Sequence, residues 1–381
     1  MKKVLLGSSA LFIAGIAATP AFAADGIKLG LGGFFRTAVL ANFDDHQSAD
    51  LGNRRYNDGV FSDAEVYFVG KTKLDNGLTV GARVELEGED SSDQIDAAFI
   101  YFQGGFGEFR IGSLKGAMNQ LCVSPVGGTT NFGAFSQDQV INNAYSDVGK
   151  SASVCSSVDG WAVSNTKDKS QKIVYISPNF GGFQLGLSWS PNAGHESSGV
   201  TGGHAGMPAV IDGEQRNVVD AYATYKHDFG GAVLQWGGGG SWGLSLAGTP
   251  SATQSKAEFY STGLNVTMGN FAVGGAFEYY NNGFGKDRDL WTAGAGAAYK
   301  FDAFTLGLQY SHSQGDYTAD HVQRRINTLA LTGNYAMGPG IAIDGTVQYT
   351  WANGDSNSFG TDKAHGGYDA VSFGLGTAFT F

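Results

Sequence analysis

From residue 27 to the last residue, apolar side chains alternate with polar or small ones in run after run, and turn signals separate the runs. A period of two is the signature of strands with two unlike faces. In the first run Ile27, Leu29, Leu31, Gly33, Phe35, Thr37 and Val39 share one face, and Lys28, Gly30, Gly32, Phe34 and Arg36 share the other. Val66, Phe68, Gly70, Thr72 and Leu74 follow, then Leu78, Val80, Ala82, Val84 and Leu86. Their opposite faces carry Glu65, Tyr67, Lys71, Thr79, Arg83, Glu85 and Glu87. Between these two runs Asp75-Asn76-Gly77 is a short-hairpin signal, because Asn and Gly tolerate the positive φ such turns demand. One face is greasy, and the other carries ionised groups.

Sixteen such runs are expected, at 27–41, 62–73, 78–88, 95–103, 108–114, 170–178, 183–190 and 216–228, then at 232–243, 255–267, 271–281, 290–301, 304–313, 323–335, 341–352 and 369–381. Their connections alternate in length. Short ones fall at 74–77, 104–107, 179–182, 229–231, 268–270, 302–303 and 336–340, and the rest are longer. Antiparallel strands joined in this cadence place every long loop on one rim and both termini on the other. The pattern predicts an all-β, up-and-down antiparallel barrel of sixteen strands that crosses a membrane. A soluble jelly roll or sandwich would bury its apolar face inward and would rarely keep a short-long cadence over such a length. In hydrocarbon only helices and closed barrels satisfy every backbone N–H and C=O, so the apolar face looks out to lipid and the charged face looks into the lumen.

Composition agrees with this inversion. Of 381 residues, 59 are Gly, 7 are Pro and 15% are charged, while mean hydropathy is only −0.13. A chain that needs grease on half of each strand has this modest value. The formal net charge of −11 argues against nucleic acid as a partner, since duplex binding needs a basic face. Lys2 and Lys3, the apolar run Val4 to Ala18, and Ala21-Phe22-Ala23 read as a secretory signal peptide over 1–23. Cleavage would leave a barrel domain at 24–381 of 381 − 23 = 358 residues with a charge of −11 − 2 = −13.

The last run ends Val371, Phe373, Leu375, Thr377, Phe379, Phe381 on one face, closing on a terminal aromatic. With the signal peptide and the strand count, the whole mature chain resembles the Gram-negative general porins, especially those of alphaproteobacteria. The resemblance implies a homotrimer in the outer membrane of a Gram-negative bacterium, in contact with outer-membrane lipid and lipopolysaccharide. It also implies that Phe379 and Phe381 are read by the barrel-assembly machinery. The family folds a long third external loop into the barrel. Here the connection 115–169 is by far the longest, and the resemblance makes it the constriction loop.

Family constrictions set loop acids against a basic cluster on the wall. Lys28, Arg36, Lys71, Arg83 and Arg110 face inward by alternation and stand where that cluster is expected, with Glu65, Glu85 and Glu87 also inward. The candidate loop acids are Asp138, Asp147 and Asp159, although the family's usual Pro-Glu-Phe signature is absent from this loop. Cys122 and Cys155 both lie in 115–169, and in an exported compartment they either remain thiols or close a ring of 155 − 122 + 1 = 34 residues. Such a ring stabilises by about 3–4 kcal/mol on the chain-entropy model.

Competing signals are weak. Gly239-Gly240-Ser241-Trp242-Gly243 matches a hydrolase nucleophile elbow, but no helix is expected after it and glycine is abundant around it. His195-Glu196 lacks a second His at zinc-site spacing. Asp44, Asp45 and Asp50, or Asp355, Asn357 and Gly360, do not follow a calcium-loop pattern. The expectation is therefore a non-enzymatic, water-filled pore without cofactor or metal. It would pass small hydrophilic solutes and ions by diffusion, mildly favouring cations. A substrate-selective channel of the same fold and a structural or adhesive barrel without an open pore are the alternatives.

Overall fold

The computed structural model describes residues 26–44, 57–88, 95–134, 169–193, 212–248, 255–281, 289–316, 323–354 and 367–381. Sixteen antiparallel strands close into one barrel. They run β1 (Lys28–Asp44), β2 (Asp58–Lys73), β3 (Thr79–Glu87), β4 (Ile95–Gly104), β5 (Gly107–Ser113), β6 (Gln171–Ile176), β7 (Phe183–Asn192) and β8 (Gln215–Asp228). Then come β9 (Ala232–Leu246), β10 (Glu258–Met268), β11 (Phe271–Tyr280), β12 (Leu290–Phe301), β13 (Phe304–Asp316), β14 (Gln323–Gly338), β15 (Ile341–Gly354) and β16 (Gly367–Thr380). Each strand pairs with its chain neighbours, and β1 pairs with β16 from Phe34↔Thr380 to Asp44↔Ala370. Closure leaves no sheet edge, which is what a strand needs in lipid.

Alternation assigns the faces as expected. Outward residues such as Leu31 (67%) and Leu375 (63%) are exposed, whereas the inward Thr328 (0%) and Ser372 (1%) are buried. Polar inside and greasy outside is the reverse of a soluble core. The connections at one rim shrink to a few residues, and Gly77, Gly230 and Gly340 supply the positive φ that such turns require.

The strands overrun their expected limits at the opposite rim. β1 continues to Asp44, β2 starts at Asp58 and β9 continues to Leu246. Beyond the lipid band both faces are wet, so the ladder continues without the alternation that marks it. β5 and β6, the partners that flank the longest connection, are the two shortest strands, at 7 and 6 residues. That connection opens with the five-residue helix α1 (Ala117–Leu121), packed against β7 and β8.

Candidate functional site

The inward side chains of β1 to β5 enclose a cavity of about 540 Å³. Register explains their convergence: Phe34 sits opposite Glu65, Glu65 opposite Glu87, and Tyr67 opposite Glu85, so alternate residues of three strands meet on one wall. Each arginine there is held by an acid and an aromatic ring. Arg36 pairs with Asp63 and lies 4.5 Å from the Phe34 ring centroid. Arg83 Nε is 2.5 Å from Glu85 Oε1, with the guanidinium 4.0 Å over Tyr67. Arg110 Nε is 2.6 Å from Glu108 Oε1, and Nη1 donates to Gln120 Oε1 of α1 at 2.5 Å. The Phe99 ring lies 5.8 Å from the Arg110 guanidinium. Lys169, at the far end of the long connection, pairs with Asp96 of β4.

Among the described residues, five cations (Arg36, Arg83, Arg110, Lys115, Lys169) and five acids (Asp63, Glu65, Glu85, Glu87, Asp96) line this cavity. Two triads, Asp63–Glu65–Glu87 and Glu65–Glu85–Asp96, bring ligand oxygens within 4.8 Å of one another. Arg36, Arg83 and Lys169 already supply the positive charge that a cation would bring. Nothing in this donor set identifies a metal.

Residues 123–134 follow the inner wall. Gln309 Nε2 donates to the carbonyls of Pro125 (3.2 Å) and Val126 (3.0 Å), and its Oε1 accepts from Ala134 N at 2.8 Å. Asn265 Nδ2 donates to Ser124 O at 2.9 Å, and Asn131 Nδ2 donates to Asp344 Oδ2 at 2.9 Å. Gln309, Asn265 and Asp344 all belong to inward faces. The wall makes room with glycine. A Cβ at Gly263, Gly296 or Gly307 would stand 1.9, 1.8 or 1.9 Å from a carbonyl oxygen of Val123, Val126 or Gly127. Cys122 takes part in a disulfide and lies 3.5 Å from Ser261 Oγ.

Of the residues expected from sequence, Arg36, Arg83, Arg110, Glu65, Glu85 and Glu87 share the first cavity. Lys28 and Lys71 do not: they line a second cavity near the short turns. Asp138, Asp147, Asp159 and Cys155 lie outside the described residues. Phe379 points outward from the barrel at 41% exposure, and Phe381 exchanges backbone hydrogen bonds with Gly33 across the seam, at 2.9 and 3.1 Å. Sequence reading missed Asp63 and Asp96. Asp63 is two residues before Glu65 and opposite Arg36, so alternation carries a signal for it. Lys169 is brought in by a tertiary contact and carries none.

A closed sixteen-stranded barrel, greasy outside and charge-paired inside, defines a channel-type membrane protein. The family model for Gram-negative porins matches residues 9–356, and the chain belongs to that family. A relative described as a monosaccharide porin, from Halomonas sp., is 23% identical over 96% of this chain and 84% of its own length. The anion-selective porin from Comamonas acidovorans superposes with a TM-score of 0.61 at 17% identity, covering 93% of this chain and all of that one. In vitro folded OmpT of Vibrio cholerae, in its trimer form, gives 0.55 at 14% identity, covering 94% and 100%. Family and fold place the protein in the outer membrane as a channel that catalyses no reaction.

Proposed function

We propose that the protein is a general diffusion porin that passes small hydrophilic solutes and ions, mildly favours cations and works as a homotrimer. The charge-paired lining of the cavity inside β1 to β5 carries this reading. Acids and guanidiniums held in place orient a passing dipole, and their mutual pairing denies any one solute a deep well, so transit stays fast. The mature charge of −11 − 2 = −13, with the inward Glu65, Glu85 and Glu87, supplies the weak bias toward cations, and the paired arginines keep it weak. The trimeric OmpT structure supports the oligomer.

The loop 115–169 narrows the pore in this account, with Cys122 and Cys155 closing its ring and Asp138, Asp147 and Asp159 supplying acid to the loop side. The wall contacts of 123–134 support it. Phe379 and Phe381 serve as the signal for the barrel-assembly machinery, and the outward face meets lipid and lipopolysaccharide. A saturable site for monosaccharides is the second reading. It is favoured by the rings of Phe34, Tyr67 and Phe99 beside guanidiniums, and by the Halomonas relative's description.

Swelling of proteoliposomes in neutral sugars tests the proposal. Diffusion predicts uptake that falls smoothly with solute size, never saturates and rises on reduction of the disulfide. Saturable uptake of one monosaccharide would replace it with the second reading, and no swelling at all would reject both.

A further inference from the structure

The strap formed by residues 123–134 reads Val-Ser-Pro-Val-Gly-Gly-Thr-Thr-Asn-Phe-Gly-Ala and carries no ionisable side chain. Its course is set by the wall. Asn265 of β10, Gln309 of β13 and Thr332 of β14 hold the carbonyls of Ser124, Pro125, Val126 and Gly127 through neutral hydrogen bonds. Gln309 also accepts from Ala134 N, so one amide closes the turn between. Asp344 of β15 is different in kind: it is a carboxylate at 0% exposure whose two oxygens accept from two amides. Asn131 Nδ2 of the strap donates to Oδ2 at 2.9 Å, and Asn334 Nδ2 of β14 donates to Oδ1 at 2.6 Å. The inward neighbours of Asp344 on its own strand are Ala342 and Thr346, and Gly376 stands opposite it on β16. From β1 come Ala38, opposite Gly376, and Arg36, which pairs with Asp63 and reaches Thr130 O at 3.5 Å. Among these contacts Asp344 and Arg36 alone are ionisable, and a guanidinium keeps its charge throughout. Asp344 is therefore the contact that a proton can change.

We propose that Asp344 is a positioning residue of the pore: its charged carboxylate pins the strap tip at Asn131, and protonation releases the tip and widens the passage. This rests on the reading that 115–169 narrows the lumen. A carboxylate accepts through both oxygens, and a charge-assisted hydrogen bond is roughly twice as strong as a neutral one. A proton removes that charge and sets a donor where the Asn131 and Asn334 amides already donate. The tip then keeps the packing of Phe132 on Ala38 and Leu40 and the long contact from Arg36 to Thr130 O. Asn265, Gln309 and Thr332 hold residues 124–127 and Ala134 as before. The strap thus loosens at its tip and stays anchored at its root. The loosened edge is the one beside Arg36, which lines the charge-paired cavity.

Neutral sugars of graded size test this in proteoliposomes, because their flux does not respond to the charge of the lumen. Swelling is compared at pH ~7 and pH ~4, an interval over which carboxylates lose their charge. The native protein is expected to admit larger sugars at the acid end. Asp344→Asn keeps the shape and removes the charge, so it should show the acid cut-off at both pH values, with the pH step lost. Asn131→Ala removes the same bond from the strap side and leaves every wall residue intact. It should behave alike, and it carries the test even where Asp344→Asn fails to assemble. Three results would overturn the proposal: one cut-off at both pH values in the native protein, a pH step that survives in the variants, or a cut-off that narrows with acid. The last would mean that a protonated Asp344 binds Asn131 Oδ1 and tightens the tip. Each of these leaves the porin reading standing, whereas no swelling in any sugar would overturn both.

Discussion

Arg36 lies over the Phe34 ring, pairs with Asp63 and reaches toward the Thr130 carbonyl at 3.5 Å. A long, flexible cation is thereby fixed in the lumen by partners on its own strand, on the next strand and on the long connection. Arg83 and Arg110 repeat the arrangement with Tyr67 and Phe99. Removing one member of such a pair changes the local charge by one unit. Arg36→Ala should shift the reversal potential in a KCl gradient toward potassium, with the cation-to-anion permeability ratio rising about two-fold, as ~0.5 kcal/mol at ~8 Å in water implies. Asp63→Asn should shift it the opposite way. Shifts of the same sign from both variants would show that the pair does not set the local field.

Glycine on the inner wall is the element-scale counterpart. Gly263, Gly296 and Gly307 stand on β10, β12 and β13 where the backbone of 123–127 touches the wall, and any side chain there would collide with it. Gly296→Leu should therefore push the segment off the wall and raise single-channel conductance while the barrel keeps its heat-modifiable mobility on gels. Gly345→Ala meets nothing closer than 3.8 Å and should change stability by less than about 0.5 kcal/mol and leave conductance alone. Equal conductance in Gly296→Leu and the native protein would mean that this segment does not limit flow. The strand count and the short turns were legible because Asn76-Gly77 and its counterparts punctuate a strict alternation. The far ends of β1, β2 and β9 were not, since alternation fades where neither face meets lipid.

At the scale of the whole barrel, closure depends on the seam between β1 and β16, and its last rung is the Gly33–Phe381 backbone pair. Deleting Phe381 removes that rung as well as the terminal aromatic, so the yield of folded, heat-modifiable protein should fall. A yield equal to that of the full chain would remove Phe381 from both roles. The inward arginines and glutamates were readable from parity alone. Depth was not: Lys28 and Lys71 share a face with Arg36 and Arg83, yet line a different cavity. Depth follows from where along the barrel each side chain falls, which the period of two does not encode. Lys169 was hidden for a related reason, because only folding brings it to Asp96.

The central claim is an open, water-filled lumen with weak ionic preference. Single-channel conductance of the purified protein in a KCl gradient, with and without reductant, tests it most directly. The account predicts large open steps in groups of three, a small reversal potential of cation-selective sign, and larger steps after reduction. A barrel that inserts but stays silent under both conditions would contradict it.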